Sequence, residues 1–244
     1  MTNLIKVELY KIKRQYVFYF LIIALMVVSA ISSISAMNMQ ANLVGKIQYM
    51  EMFHDISILF VCAIAVAIYI GNDFQNRTIP FQIGTGQKRR NIFCTKLIIS
   101  IGISQMLALV YIGIGTIIVT LNRGWGNVVT MTEIKDIFLI LMESIILNIG
   151  TISCFVFFAF LCRDITKTIC TSILFLILCS FLIPIVKYIP MLEVIVRFFT
   201  LTQISSIGIT TISQLGVILC SSIFTFVVFS SLAMIGFQKA ELKV

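Results

Sequence analysis

Charge is scarce in this sequence. Only 11% of its 244 residues are Asp, Glu, Lys or Arg, while 59% are hydrophobic and the mean hydropathy is +1.07. Soluble domains carry roughly 25% charged residues, so this chain has too little polar surface to cover a globule of its size. A soluble enzyme and a disordered chain are both excluded. Histidine occurs once, at His54, and one His without neighbouring Cys or His cannot form a zinc site. Three prolines in the whole chain leave long helices uninterrupted. The seven cysteines form no CxxC pair and read as small apolar fillers, not as a disulfide scaffold. Catalytic signatures such as GxSxG and HExxH are missing. Gly84-Thr85-Gly86-Gln87-Lys88 fails the phosphate-loop spacing and has no Ser or Thr after Lys88, so no nucleotide site is expected in this chain.

Long apolar runs are abundant. A membrane-crossing helix needs about 20 apolar residues, and six candidates meet or approach that length: Val17–Met37, Ile56–Ile70, Leu97–Leu121, Ile137–Leu161, Ile169–Val186 and Leu215–Phe237. The second is short and is expected to begin a few residues earlier. The expected fold class is an all-α polytopic membrane protein with six transmembrane helices and both termini on one side. Residues 1–16 are expected to form an interfacial amphipathic helix and residues 17–244 a single six-helix domain, with no separate soluble domain. The apolar core of the first run is longer than a signal-peptide core, so it is read as a retained span.

The formal net charge of +8 would suggest nucleic acid in a soluble protein. Here it reports orientation. With the N-terminus inside, thirteen of the 18 Lys and Arg residues fall on the inner side and five on the outer. Both termini are therefore expected in the cytoplasm, and nucleic acid is not an expected partner.

Three segments carry more than solvent-matching. In Thr2–Tyr16 the apolar residues Leu4, Ile5, Leu9, Ile12 and Tyr16 recur at helical spacing, with Lys6, Glu8, Lys11, Lys13 and Arg14 between them. Such a helix lies in the headgroup layer with its basic face toward anionic lipid. The inner loop 72–96 holds Arg77, Lys88, Arg89, Arg90 and Lys96, interrupted by Pro80, Gly84 and Gly86. Its stretch from Asn72 to Phe81 predicts a short helix ended by Pro80. Ile79, Phe81 and Ile83 give that helix an apolar edge which suits docking into a partner's groove, and an ordinary positive-inside loop would not explain Phe74 either. The outer segment 187–214, with Phe198 and Phe199 beside Glu193 and Arg197, predicts an interfacial amphipathic helix or a re-entrant hairpin.

Glu143 is the one acid placed inside an expected span, where a charge costs about 2.5–3.5 kcal/mol on insertion scales. It reads either as a cation, proton or cationic-substrate site, or as a residue snorkelling or paired near the outer surface. Together with Asn148, Ser32 and Ser33 it marks a weak candidate substrate path. Ser32 and Ser33, with Gly113, Gly115, Gly150 and Thr151, also suit close helix packing.

The runs LIKVELYKIKR at the N-terminus and GNDFQNRTIPFQIGTGQKRRNIFCTK after the second span resemble the permease subunits of type-2 ABC exporters. Asp73, Arg77-Thr78, Gly84–Gly86, Lys88-Arg89-Arg90 and Lys96 carry the likeness, which extends over the six-span topology. It departs at Arg77, where the family usually has Gly. The sequence looks most like lantibiotic-immunity and bacitracin-resistance permeases and exporters of phenol-soluble modulins. The resemblance implies a location in the bacterial cytoplasmic membrane and a working unit of two permease copies and two copies of a separate ATPase subunit. ATP and Mg would be bound by that partner, so the permease would not be an enzyme by itself and would bind no cofactor of its own. The loop after the second span would be the coupling helix, with Asp73, Phe74, Arg77, Thr78, Ile79, Phe81, Lys88, Arg89 and Arg90 as the ATPase contact. The N-terminal helix would lie beside it, the segment 187–214 would form outer re-entrant helices, and the cargo would be an amphipathic or cationic peptide. Two other readings compete: a non-pumping membrane immunity or sensor protein, and an ion-coupled carrier that uses Glu143.

Overall fold

A computed structural model describes residues 2–126, 130–186, 200–203 and 212–239. The described residues are helical, with no strand. Six helices are long and apolar enough to cross a membrane: α2 (Tyr16–Met39), α4 (Ser57–Gln75), α6 (Arg89–Arg123), α7 (Met131–Cys162), α8 (Ile165–Val186) and α10 (Ile212–Lys239). The protein is an all-α, multi-pass membrane protein. The remaining helices are α1 (Thr2–Arg14), α3 (Gly45–His54), α5 (Thr78–Gly84) and α9 (Thr200–Gln203). At 1.5 Å per residue the 35-residue α6 is about 52 Å long, well beyond the roughly 30 Å hydrocarbon core.

Helices α4, α6 and α7 supply most of the core. Ala63, Ala65, Ala67 and Ile70 of α4 are fully buried, as are Phe155, Val156 and Ala159 of α7. Small side chains let backbones approach where no hydrophobic force drives helices together in lipid. Gly71 shows this most directly: a Cβ there would come within 2.8 Å of Ile165 Cγ1 and 3.0 Å of its backbone. By contrast α2 and α8 turn many large side chains outward, among them Phe20, Ile23, Ile31, Leu174 and Phe181, as expected for helices facing lipid.

The run before the second span is not an early start of that span. It folds as α3, separated from α4 at Asp55, whose Oδ1 accepts a hydrogen bond from the Ser57 N–H at 2.8 Å. Tyr49, Met52 and Phe53 of α3 are buried. The Gly45 and Lys46 N–H groups donate to the carbonyls of Gly124 and Trp125 at 3.0 and 3.2 Å. At the same end Lys46 pairs with Glu133 at 2.8 Å, and Arg123 donates to the carbonyls of Met37 in the last turn of α2 and of Gln40 and Ala41 just beyond it.

Of the outer segment 187–214, only Thr200–Gln203 and the start of α10 are described; Pro190, Glu193, Arg197, Phe198 and Phe199 lie outside the described residues. Thr200 is buried and its hydroxyl lies 3.1 Å from that of Thr151. A Cβ on Gly150 would meet Thr200 Cγ2 at 2.6 Å and Thr225 Oγ1 at 2.7 Å. Helix α9 thus packs near the midpoints of α7 and α10, where the glycine leaves room for it.

Candidate functional site

The end of the molecule that carries α1 and α5 holds a cluster of buried charge. Tyr69 and Asp73 lie one turn apart on α4, on the same face. Lys96 enters from the second turn of α6, and Glu8 and Lys11 come from α1. Lys96, Asp73 and Glu8 are 1–2% exposed. Lys96 Nζ donates to Glu8 Oε2 at 2.6 Å and to Asp73 Oδ2. It also stands 4.2 Å from the centre of the Tyr69 ring, a cation–π distance. Lys11 pairs with the other oxygen of Asp73. The Tyr69 hydroxyl donates to Glu8 Oε2 at 3.0 Å, and Gln82 of α5 donates to Glu8 Oε1 at 3.4 Å.

The four charges cancel, and each buried acid has at least two donors. That is the condition under which charge can be buried at all, since an unpaired ion in an apolar interior costs several kcal/mol. The cluster ties α1 to α4, α5 and α6, which follow it only after α2 and α3.

The loop beyond Asp73 differs from the helix expected over Asn72–Phe81. Asn72–Gln75 are the last turn of α4. Arg77 takes a left-handed conformation, φ 55°, and redirects the chain. The separate helix α5 starts at Thr78 and runs past Pro80 to Gly84. Pro80 does not end it: in a first turn the missing N–H has no helical partner to lose.

This register sorts the expected contact residues into two groups. Asp73, Phe74 and Ile79 face inward and form no outer docking edge: Asp73 is in the ion cluster, Ile79 is fully buried, and Phe74 stacks edge-on with Phe160 and Phe237 at 5.7 and 6.4 Å. Phe81, by contrast, is 72% exposed, and Arg77, Lys88 and Arg90 are exposed with it, while Thr78 is half-buried. Arg89 is half-buried and donates to the carbonyls of Phe237 and Gln238 at the end of α10, at 3.1 and 2.8 Å.

The four candidate path residues are split between two helices. Ser32 and Ser33 on α2 both bond back to the Ser29 carbonyl, at 3.0 and 2.7 Å, and Ser33 is fully buried against α3 and α6, where Gly115 makes space for it. They pack helices and do not line an open route. Glu143 is buried in α7. Asn148, half-buried, lines a cavity of about 20 Å³ with Asp55 and Ser144, room for one water molecule.

Glu8 and Tyr69 went unrecognised in the sequence. Glu8 reads there as one of several charges on the polar side of α1. A signal existed: Glu8 and Lys11 are i,i+3 neighbours of opposite sign, set apart from Lys6 and Lys13 around the helix. No family model and no curated protein matches this chain.

Proposed function

We propose that the protein is the permease subunit of an ATP-driven exporter of the type-2 ABC class, moving amphipathic or cationic peptides out of the membrane or the cytoplasm. Six apolar helices fit a transport protein. The observation that carries the reading is the mounting of α5. Its Phe81 side is exposed, and Arg77 just before it and Lys88 and Arg90 after it in the chain are exposed too, while its other side is fixed by Ile79 and by the Gln82–Glu8 hydrogen bond to the Lys96–Asp73 cluster. An exposed aromatic in a segment with three exposed cations, on a helix held through buried charge to α1, α4 and α6, suits a surface that receives a push and passes it to the spans. The ATPase, in two copies, would bind ATP and Mg, and a second permease copy would complete the path. Tilting of packed helices would then switch access from one side to the other.

Co-purification tests the partner, and Phe81→Asp tests the surface. The permease is expected to bring down a P-loop ATPase. Phe81→Asp, at a site 72% exposed, is expected to abolish peptide-stimulated ATP hydrolysis while the protein stays folded. Peptide transport by the permease alone, in vesicles without ATP, would overturn the reading.

A further inference from the structure

An apolar cavity of about 460 Å³ lies under α1, between α2 and α6. It is lined by Ile5, Leu9 and Ile12 of α1, by Phe18 and Ile22 of α2, and by the α6 stretch from Ile98 to Leu107. Leu9, Ile98 and Met106 are about half exposed or more, so the groove opens sideways. Along α6 it runs from Ile98 to Leu107, a rise of about 14 Å. That is close to half of the roughly 30 Å hydrocarbon core, the depth of one leaflet.

The rim of this groove is cationic. Lys6 and Lys13 are the i−3 and i+4 neighbours of Leu9 and so flank it on the helix surface. Both are exposed, and among the described residues neither forms a salt bridge. Glu8 and Lys11, on the other flank of the apolar stripe, are turned into the ion cluster. Helix α1 therefore offers acids only to the protein interior and bare ammonium groups to the mouth of the groove.

We infer that this groove is a binding site for one acyl chain of an anionic phospholipid, with the lipid phosphate held between Lys6 and Lys13. The lining presents no hydrogen-bonding side chain, which suits a chain with no polar group to satisfy. A peptide helix fits badly: a segment 14 Å long and roughly 10 Å wide needs more than about 1,000 Å³. The inference stands independently of the ATPase reading.

Native mass spectrometry of the full-length protein, titrated with phosphatidylglycerol or with phosphatidylcholine of the same chains, tests it. The wild type is expected to retain the anionic lipid preferentially. Lys6→Gln with Lys13→Gln should lower phosphatidylglycerol retention by about fivefold for each cation removed, and leave phosphatidylcholine retention unchanged. Gly102 lines the groove, and a Cβ there meets nothing within 4 Å, so Gly102→Phe should fill the cavity and reduce retention of both lipids. Equal retention of the two lipids by the wild type overturns the proposal. So does an unchanged preference in the lysine double variant, whose exposed positions keep that arm decisive even if Gly102→Phe fails to fold.

Discussion

Lys96 is the residue on which the inner cluster turns, because it alone contacts both buried acids. Replacing it by Met would leave Glu8 and Asp73 with one cation, Lys11, which is itself partly exposed. Breaking a buried ion pair from one side costs about 3–5 kcal/mol, since the uncompensated charge stays in the interior. Lys96→Met is therefore expected to lower thermal stability in detergent, read by maleimide labelling of the buried thiols Cys62 and Cys154. Glu8→Gln added to Lys96→Met restores neutrality and should recover a large part of the loss. A double variant no more stable than the single one would show that the charges are not coupled. The same bookkeeping separates Phe81, which can be changed without touching the interior, from Ile79 two residues before it, where truncation would open a cavity.

At the scale of elements, the joint between α7 and α8 is held by a capping acid. Asp164 Oδ1 accepts from the Lys167 N–H at 3.1 Å, and its Oδ2 accepts from Gln75 at the end of α4 at 3.2 Å. The backbone N–H of Lys167, followed by the Gln75 amide, holds the Asp164 carboxyl below its ordinary pKa. The folded state thus binds the proton less tightly than the unfolded chain. The cap's contribution is fully present above the unfolded pKa of about 3.9 and is lost as pH falls through the lower, folded value. Hydrogen-exchange protection of the first turn of α8 should fall below pH about 4 in the wild type. Asp164→Asn, which can still cap, should lose that pH step, and Asp164→Ala should lose protection at every pH. Gly150 makes the matching case for α9: Gly150→Ala is expected to cost about 1–3 kcal/mol by overpacking, read as a lowered thermal midpoint. Which of these features the sequence discloses follows from their range. The spans are legible because membrane crossing demands a continuous apolar run. The separate helix before Asp55 and the turn at Arg77 are not: Lys46, Gln48, Glu51 and His54 interrupt the apolar residues of the first, and the second lets Pro80 sit in a first turn. Asp73, Lys96 and Lys11 were visible only as loop and flank charges. Their pairing with Glu8 joins residues up to 88 positions apart, beyond what spacing within one helix reports.

For the whole molecule, the placement of charge argues for one orientation. At the end formed by α1, α5 and the α7–α8 joint, the acids Glu8 and Asp73 are consumed by Lys11 and Lys96. Lys6, Lys13, Arg14, Arg77, Lys88, Arg90 and Lys167 are left exposed. At the opposite end Lys46 is paired with Glu133, Arg123 is occupied by the carbonyls that follow α2, and exposed Lys135 stands next to exposed Asp136. Folding thus neutralises Glu8 and Asp73 at the basic end, where Asp164 remains as the cap of α8, without removing the excess cations. Cations near span ends stay on the cytoplasmic side during insertion, and anionic lipid on that face adds roughly 1 kcal/mol for each exposed Lys or Arg. In a background with the seven native cysteines replaced, Lys135→Cys should react with a membrane-impermeant maleimide added to intact cells. Arg90→Cys should react only after the membrane is permeabilised. The reverse pattern would place the basic end outside, and with it α5, leaving Phe81 and the exposed Arg77, Lys88 and Arg90 out of reach of any cytoplasmic ATPase; the proposed function would then fall together with the topology.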